Sequence, residues 1–258
     1  MALWKYYPQS PYVESATLTA LTGTSSTLHC CLSYRAKNRC DVDTVSGSEF
    51  AFKIDAGMGI AITPDFVGFI NHNLNAGECV LHVICGNAAD NGTTWDFVAF
   101  DGEGGDIGGL PIDITELQYL KTKRYWKISI SGITAPAYFG NFFMGVSRLP
   151  SVDCNYGSPI LYDRSGVKTS ETDGGSVFSI KRYGLKRIWN IAYEAISDAD
   201  KAVLVGLESD CDGPHRPFIF TDTDSSLFYG RLNSQMQVTP TTAGLWDVSF
   251  QIREEITT

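Results

Sequence analysis

The stretch Phe66-Val67-Gly68-Phe69-Ile70-Asn71-His72-Asn73 sets an imidazole between two amides directly after an apolar run. Three kinds of chemistry suit such a cluster: an active-site loop, a metal site, or a strand end whose polar side chains hold a turn. A metal site needs further ligands. The four histidines stand at positions 29, 72, 82 and 215, and no two have the spacing of a zinc pair. His29-Cys30-Cys31 is the one local soft-ligand cluster, and it would need a distant partner such as Cys40. Asp101, Glu103 and Asp106 line a glycine-rich segment, but the spacing of an EF-hand is missing. Gly102 to Gly109 is neither a dinucleotide fingerprint nor a phosphate loop. Neither G-x-S-x-G nor Gln-Ala-Cys occurs, so no nucleophile motif is present. Twenty-nine acidic residues always contain some pair suited to glycoside hydrolysis, which singles out none of them. The chain is therefore read as a protein that is not an enzyme, with no catalytic residues, no metal and no cofactor.

The structural alternative accounts for every residue type in the opening stretch. Phe66 to Ile70 is a strand, and Asn75-Ala76-Gly77 turns into the next one at Cys79. Asn71 and Asn73 are expected to hydrogen-bond backbone N–H groups two residues on, and Gly77 to take a positive φ. His72, with an apolar body and two ring nitrogens, is expected to bridge to a neighbouring loop. Asn71, His72, Asn73 and Gly77 are thus candidates for a structural loop.

The elements that position such a loop are strands. Of 258 residues, 43% are apolar, 12% aromatic and only 19% charged, and 25 are glycine. That composition favours many short strands joined by tight turns. A net charge of −9 without a basic footprint argues against sequence-specific nucleic-acid binding. No stretch approaches eighteen apolar residues, and Met1 to Tyr7 lacks a signal-peptide core, so neither a membrane span nor a secretory leader is expected. The seven cysteines include no C-x2-C pair and are read as reduced thiols of a protein made in the cytosol.

The fold expected is mainly β. Residues 1–20 form an N-terminal arm or first strand, 21–150 a β-sandwich, 151–165 a linker, and 166–258 a second β domain with one helix. In the sandwich, Cys79 to Cys85 is apolar on both parities and suits a central strand, whereas Trp126, Ile128 and Ile130 alternate with polar residues. Phe139 to Val146 is expected to close the sandwich, its glycines allowing a bulge. Ile114 to Leu120 could carry two helical turns. In the second domain, Ser197 with Asp200 three residues on is a capping box. Ala199, Ala202, Val203 and Leu207 then recur at helical spacing up to Asp210. Arg216 to Phe220 and Leu227 to Leu232 should pair across a polar turn. Trp246, Val248, Phe250 and Ile252 alternate without error, giving the clearest strand of the chain.

Loops at one end of a β-sandwich could take a sugar, and Trp95, Tyr138 and Asn141 are the candidate contacts, with Asn87 and Asn91 nearby. The strands Phe69 to Leu74, Val80 to Ile84, Arg124 to Ile128 and Tyr138 to Val146 resemble galactose-binding-like (discoidin-type) jelly rolls of bacteriophage tail proteins. The later segments Lys186 to Ile191 and Arg216 to Phe220, with the strand ending in Glu254, resemble the tail-tube-like β domains of distal tail and baseplate adaptor proteins. That resemblance implies a virion protein assembled in the host cytoplasm and placed at the tail tip. It further implies a homo-oligomer, a hexameric ring joining the tail tube protein to the baseplate hub or receptor-binding proteins, with genomic DNA passing through. Trp4, Tyr6 and Tyr7 would be interface anchors, and removing residues 1–8 would weaken assembly while the monomer stays folded. The alternative is a carbohydrate-binding receptor-recognition module of a tail fibre or baseplate.

Overall fold

The structure is a computed structural model describing residues 3–32, 39–74, 79–86, 97–100, 106–107, 112–117, 120–133, 136–155, 160–163, 167–171, 177–181, 186–222 and 226–255. In chain order the first elements are β1 (Lys5–Pro8), the short helix α1 (Pro11–Glu14), β2 (Thr17–Thr22), β3 (Cys40–Val42), β4 (Glu49–Asp55) and β5 (Phe66–Ile70). Then come β6 (Cys79–Gly86), β7 (Phe97–Phe100), β8 (Asp106–Ile107), β9 (Ile112–Glu116), β10 (Tyr125–Ser131), β11 (Ala137–Phe139) and β12 (Asn141–Gly145). The C-terminal part holds β13 (Ile160–Asp163), β14 (Val167–Glu171), β15 (Val177–Lys181), β16 (Lys186–Ser197) and helix α2 (Asp198–Cys211). It ends with β17 (Phe218–Thr221), β18 (Leu227–Leu232), β19 (Gln237–Thr242) and β20 (Leu245–Glu254). The protein is mainly β, with a jelly-roll sandwich and few helices.

The sandwich is built from strands whose inward positions recur every second residue. One sheet runs β2-β4-β10-β6-β7, with β8 added on β6. Its register sets Ile128 between Phe52 and Val83, and Ile130 between Phe50 and Leu81, so three apolar rows stand on one face. Facing them is the three-stranded sheet β12-β5-β9. Val67, Phe69, Phe142 and Met144 fill the shared core, where Phe52 meets Phe142 edge-on at 5.5 Å. Such ring pairs stabilise a core beyond the area they bury.

The second large sheet runs β1-β17-β18-β20-β16-β13, with β19 also on β20. Helix α2 covers one face through Leu204, Leu207 and Cys211, which pack with Trp189, Ile191, Phe218, Phe250 and Ile252. On the opposite face, Ile219 and Tyr229 pack against Phe66, Ile70, Phe143 and Ile112 of the three-stranded sheet. That small sheet is therefore apolar on both faces, which explains why all five residues of β5 are buried. Gly68 sits where the layers close: a Cβ there would lie 2.6 Å from Ile114 Cδ1 and 3.3 Å from Ile219 Cδ1.

Several expectations change. Ile112–Glu116 is a strand, not helical turns, because its backbone is needed to complete the pairing with β5. The closing segment breaks at Gly140 into β11 and β12, whose partners β3 and β5 lie in different sheets. The segment expected as a linker contains β13, an edge strand on β16. Helix α2 starts under the Ser197 cap, whose Oγ accepts from Asp200 N at 3.1 Å. Its buried face is Asp200, Leu204, Leu207 and Cys211, while Ala199 and Ala202 face solvent. Tyr193 and Ile196 keep the same inward sense only because the strand bulges between them at Ala195, which has φ 54°.

The N-terminal residues are not a projecting arm. β1 pairs antiparallel with β17, and Trp4, Tyr6 and Tyr7 are 6%, 0% and 5% exposed. Trp4 stacks on Phe220, the Tyr6 and Tyr193 hydroxyls meet at 2.9 Å, and Tyr7 packs edge-on against Phe66. As interface anchors these three residues are corrected: their surface is spent inside the chain. The seven cysteines form no disulfide. Burial pushes the Cys40 thiol up to about 12 despite the Ser25 hydroxyl beside it, so it resists forming a reactive thiolate.

Candidate functional site

Asn71, His72 and Asn73 occupy the exit from β5, and each has a different task. Asn71 takes a left-handed backbone, φ 54°, and its carbonyl accepts from Gly140 N at 3.0 Å. His72 turns inward; its side chain is fully buried and Nε2 lies 2.9 Å from Asp113 Oδ2 on β9. Asn73 reaches across to β11. Its Oδ1 accepts from Tyr138 N at 2.7 Å, its Nδ2 donates to Pro136 O at 3.2 Å, and its N–H donates to Tyr138 O at 3.2 Å. One asparagine thus stands in for a strand edge along β11. Gly77 lies outside the described residues.

On its other side β11 pairs with β3, placing Tyr138 opposite Asp41. β3 alternates sharply: Cys40 and Val42 are buried, while Arg39 and Asp41 point out. The Arg39 guanidinium lies over the Tyr138 ring, 4.6 Å from its centroid, and its Nε is 2.7 Å from Asp41 Oδ1. Stacking plus the ion pair fixes a planar cation on an aromatic plane at the protein surface. Asp43 is tied in turn, its Oδ2 accepting from Ser26 N at 2.7 Å. Together with Asn73 and Pro136 these residues line an open cleft of about 620 Å³.

The cleft offers guanidinium and amide donors, carboxylate acceptors and a tyrosine with its hydroxyl. Among the described residues no group of three or more His, Cys, Asp or Glu side chains could hold a metal ion. Of the residues expected to touch a sugar, Tyr138 lines the cleft. Asn141 does not reach it: it sits on β12 opposite Ile70 and is 2% exposed. Trp95, Asn87 and Asn91 lie outside the described residues. Sequence reasoning missed Arg39 and Asp41. The Arg39-Cys40-Asp41-Val42 alternation was available as a signal, but nothing local says that β3 pairs with a strand nearly a hundred residues later.

No protein-family profile and no curated protein matches the chain. Among solved structures it is similar to chitosan-binding module 1 of a chitosanase/glucanase from Paenibacillus sp. IK-5, at 15% identity and a TM-score of 0.39, covering 52% of this chain and 96% of that one. It is similar to CpGH89CBM32-5 from Clostridium perfringens, in complex with GalNAc-β-1,3-galactose, at 7% identity and a TM-score of 0.40, covering 53% and 99%. A fucose-binding module of Streptococcus pneumoniae, SpX-3, follows at 11% identity and a TM-score of 0.36, covering 52% and 95%.

These findings correct the phage expectation. What the chain is similar to are carbohydrate-binding modules, not distal tail or baseplate adaptor proteins. The hexameric ring, the tail-tube and hub partners, the passage of DNA, the tail-tube-like character of the C-terminal sheet and the place at a virion tail tip are withdrawn with it.

Proposed function

We propose that this chain is a non-catalytic carbohydrate-binding module whose site is the cleft between β3, β11 and the Asn73 loop. The observation that carries the proposal is the Arg39–Tyr138 stack at the mouth of that cleft, held from one side by Asp41 and from the other by Asn73. A sugar presents hydroxyl groups at its rim and C–H groups on its faces. Arg39 supplies donors for the hydroxyls, Asp41 and Asp43 supply acceptors, and the edge of Tyr138 supplies apolar contact. Because backbone pairing and the Asn73 clamp already hold these groups, little ordering remains to be done on binding. The volume falls in the range of small-ligand clefts, roughly 300–1,000 Å³.

A glycan array probed with the wild type, Tyr138→Ala and Arg39→Ala chains tests this. Saturable binding to a subset of glycans, lost in both variants with the fold intact by circular dichroism, is expected. Absence of binding to any glycan, or binding that survives both substitutions, refutes it.

A further inference from the structure

The C-terminal sheet carries a groove that the cleft above does not account for. β16 and β20 send Trp189, Ile191, Val248, Phe250 and Ile252 toward the helix-covered core. The alternate positions Asn190, Ser249 and Gln251 face the other way. Beyond Leu232 the chain leaves β18 and crosses to β19, and Ser234 and Gln235 in that crossing form a wall beside the sheet face. Sheet and wall border an open groove of about 390 Å³ lined by the polar Asn190, Ser234, Gln235, Gln237, Ser249 and Gln251 together with Ile191, Ala192 and Phe250.

Two features separate this groove from an ordinary solvated sheet face. Its polar side chains are all amides and hydroxyls, and no charged side chain takes part among the described residues. It is also held in place. Gln251 Nε2 donates to Asn190 Oδ1 at 2.8 Å, while Gln251 Oε1 accepts from Asn233 Nδ2 at 3.1 Å, so the amide chain has one orientation. The wall is fastened by Gln251 N donating to Ser234 Oγ at 3.1 Å, by Asn233 N donating to Gln251 O at 2.8 Å, and by Met236 N donating to Glu208 Oε1 at 3.2 Å.

From this we infer that the groove is a second binding site, for a neutral, hydroxyl-rich chain such as an uncharged oligosaccharide. A primary amide sets a donor beside an acceptor, as a vicinal diol does, whereas a carboxylate or an ammonium group offers only one of the two. A charged ligand would lose hydration here without gaining a counter-charge, so the groove selects against it. With no exposed aromatic plane to stack on, its affinity is low, with a Kd of about 1 mM. The site does not depend on the Arg39–Tyr138 cleft.

The test is a two-dimensional NMR titration of the full chain with neutral gluco-, galacto- and manno-configured oligosaccharides, and with a uronic-acid oligomer as the charged arm. Saturable shifts of the Gln235, Gln237 and Gln251 side-chain amides are expected with at least one neutral sugar and not with the charged one. Saturable binding persists in Tyr138→Ala, and in Gln235→Ala/Gln237→Ala, which removes two exposed side chains, the Kd read from the Gln251 side-chain amide rises about tenfold or more. The second site is overturned by no saturable shift with any neutral sugar, by equal shifts with the uronic-acid oligomer, or by shifts unchanged in the double variant with its backbone spectrum intact.

Discussion

Replacing Asn73 with alanine separates the clamp from the chemistry of the cleft. The side chain makes two hydrogen bonds, one from Tyr138 N on β11 and one to Pro136 O just before it, and both lie near solvent. Neutral hydrogen bonds contribute about 0.5–1.5 kcal/mol each, and the lower part of that range applies at an exposed site, so the pair is worth about 1–2 kcal/mol. If β11 let go only on global unfolding, the melting temperature would fall by about 2–8 °C. If β11 loosens locally, the loss is felt at the cleft instead, where 1–2 kcal/mol corresponds to about a five- to thirtyfold rise in Kd. β11 has three residues and one backbone partner strand, so local loosening is the expected mode. Calorimetric titration with the tightest glycan from the array should show that rise, with a melting temperature within about 4 °C of wild type. Hydrogen exchange should quicken at the Tyr138 amide. Asn73→Asp keeps the acceptor for Tyr138 N and loses the donor to Pro136, so its effect should be about half as large. An unchanged Kd in Asn73→Ala, with exchange at Tyr138 also unchanged, refutes the clamp. Asn73→Asp proving worse than Asn73→Ala does the same.

Three further outcomes follow from the packing. Deleting residues 1–8 removes Trp4, Tyr6 and Tyr7 from two cores, at about 1.5–3 kcal/mol per ring; that rivals a typical net stability of about 5–15 kcal/mol, so denaturant unfolding should show a chain without a cooperative transition. Gly68→Ala would drive a methyl group into Ile114 and Ile219, at a cost of about 1–3 kcal/mol by overpacking, measurable as a lower urea midpoint. At Asp200, burial pushes the carboxyl up, but hydrogen bonds from Ser151 N, Ser197 and Ser151 Oγ outweigh it and hold the group below the usual carboxylate range. A lowered value in the fold means that its stabilisation is fully present above the unfolded value of about 3.9 and fades as pH falls through the folded value. Asp200→Asn should therefore cost about 1–2 kcal/mol at neutral pH, with the gap to wild type closing below about pH 4 in urea titrations.

Period and capping carried most of what could be read in advance. The β20 alternation and the Ser197 cap are local patterns, each set by residues within one element, and both appear where the spacing places them. Of the helix face expected from helical spacing, Leu207 is buried but Ala199 and Ala202 are exposed, because burial went instead to Asp200, Leu204 and Cys211, whose partners lie on other elements. β9 was misread for a related reason. Isolated Ile-Asp-Ile-Thr-Glu has no decisive period over five residues, and its pairing with β5 is a long-range fact. The site was legible only in its Asn73 and Tyr138 half. Arg39 and Asp41 meet that half through a three-residue strand, too short for any pattern to announce.

The C-terminal sheet also bears on the cleft, although it supplies no residue to it. A three-stranded sheet with one face bare would be a weak platform, since its open face would leave Phe66, Ile70, Phe143 and Ile112 in water. Ile219, Tyr229 and Tyr7 cover that face, and Lys5 and Tyr7 both engage Glu116 at the end of β9. The Lys5 ammonium beside Glu116 holds its carboxyl below the usual range, so the contact is charged at neutral pH. β5 is thus gripped on both faces just before it releases Asn71, His72 and Asn73. His72, buried against Asp113, anchors the first turn of the loop to β9, leaving Asn73 to reach β11 from a fixed origin. The C-terminal sheet therefore acts as a buttress: it fixes the strand, the strand fixes the loop, and the loop fixes the tyrosine on which Arg39 rests.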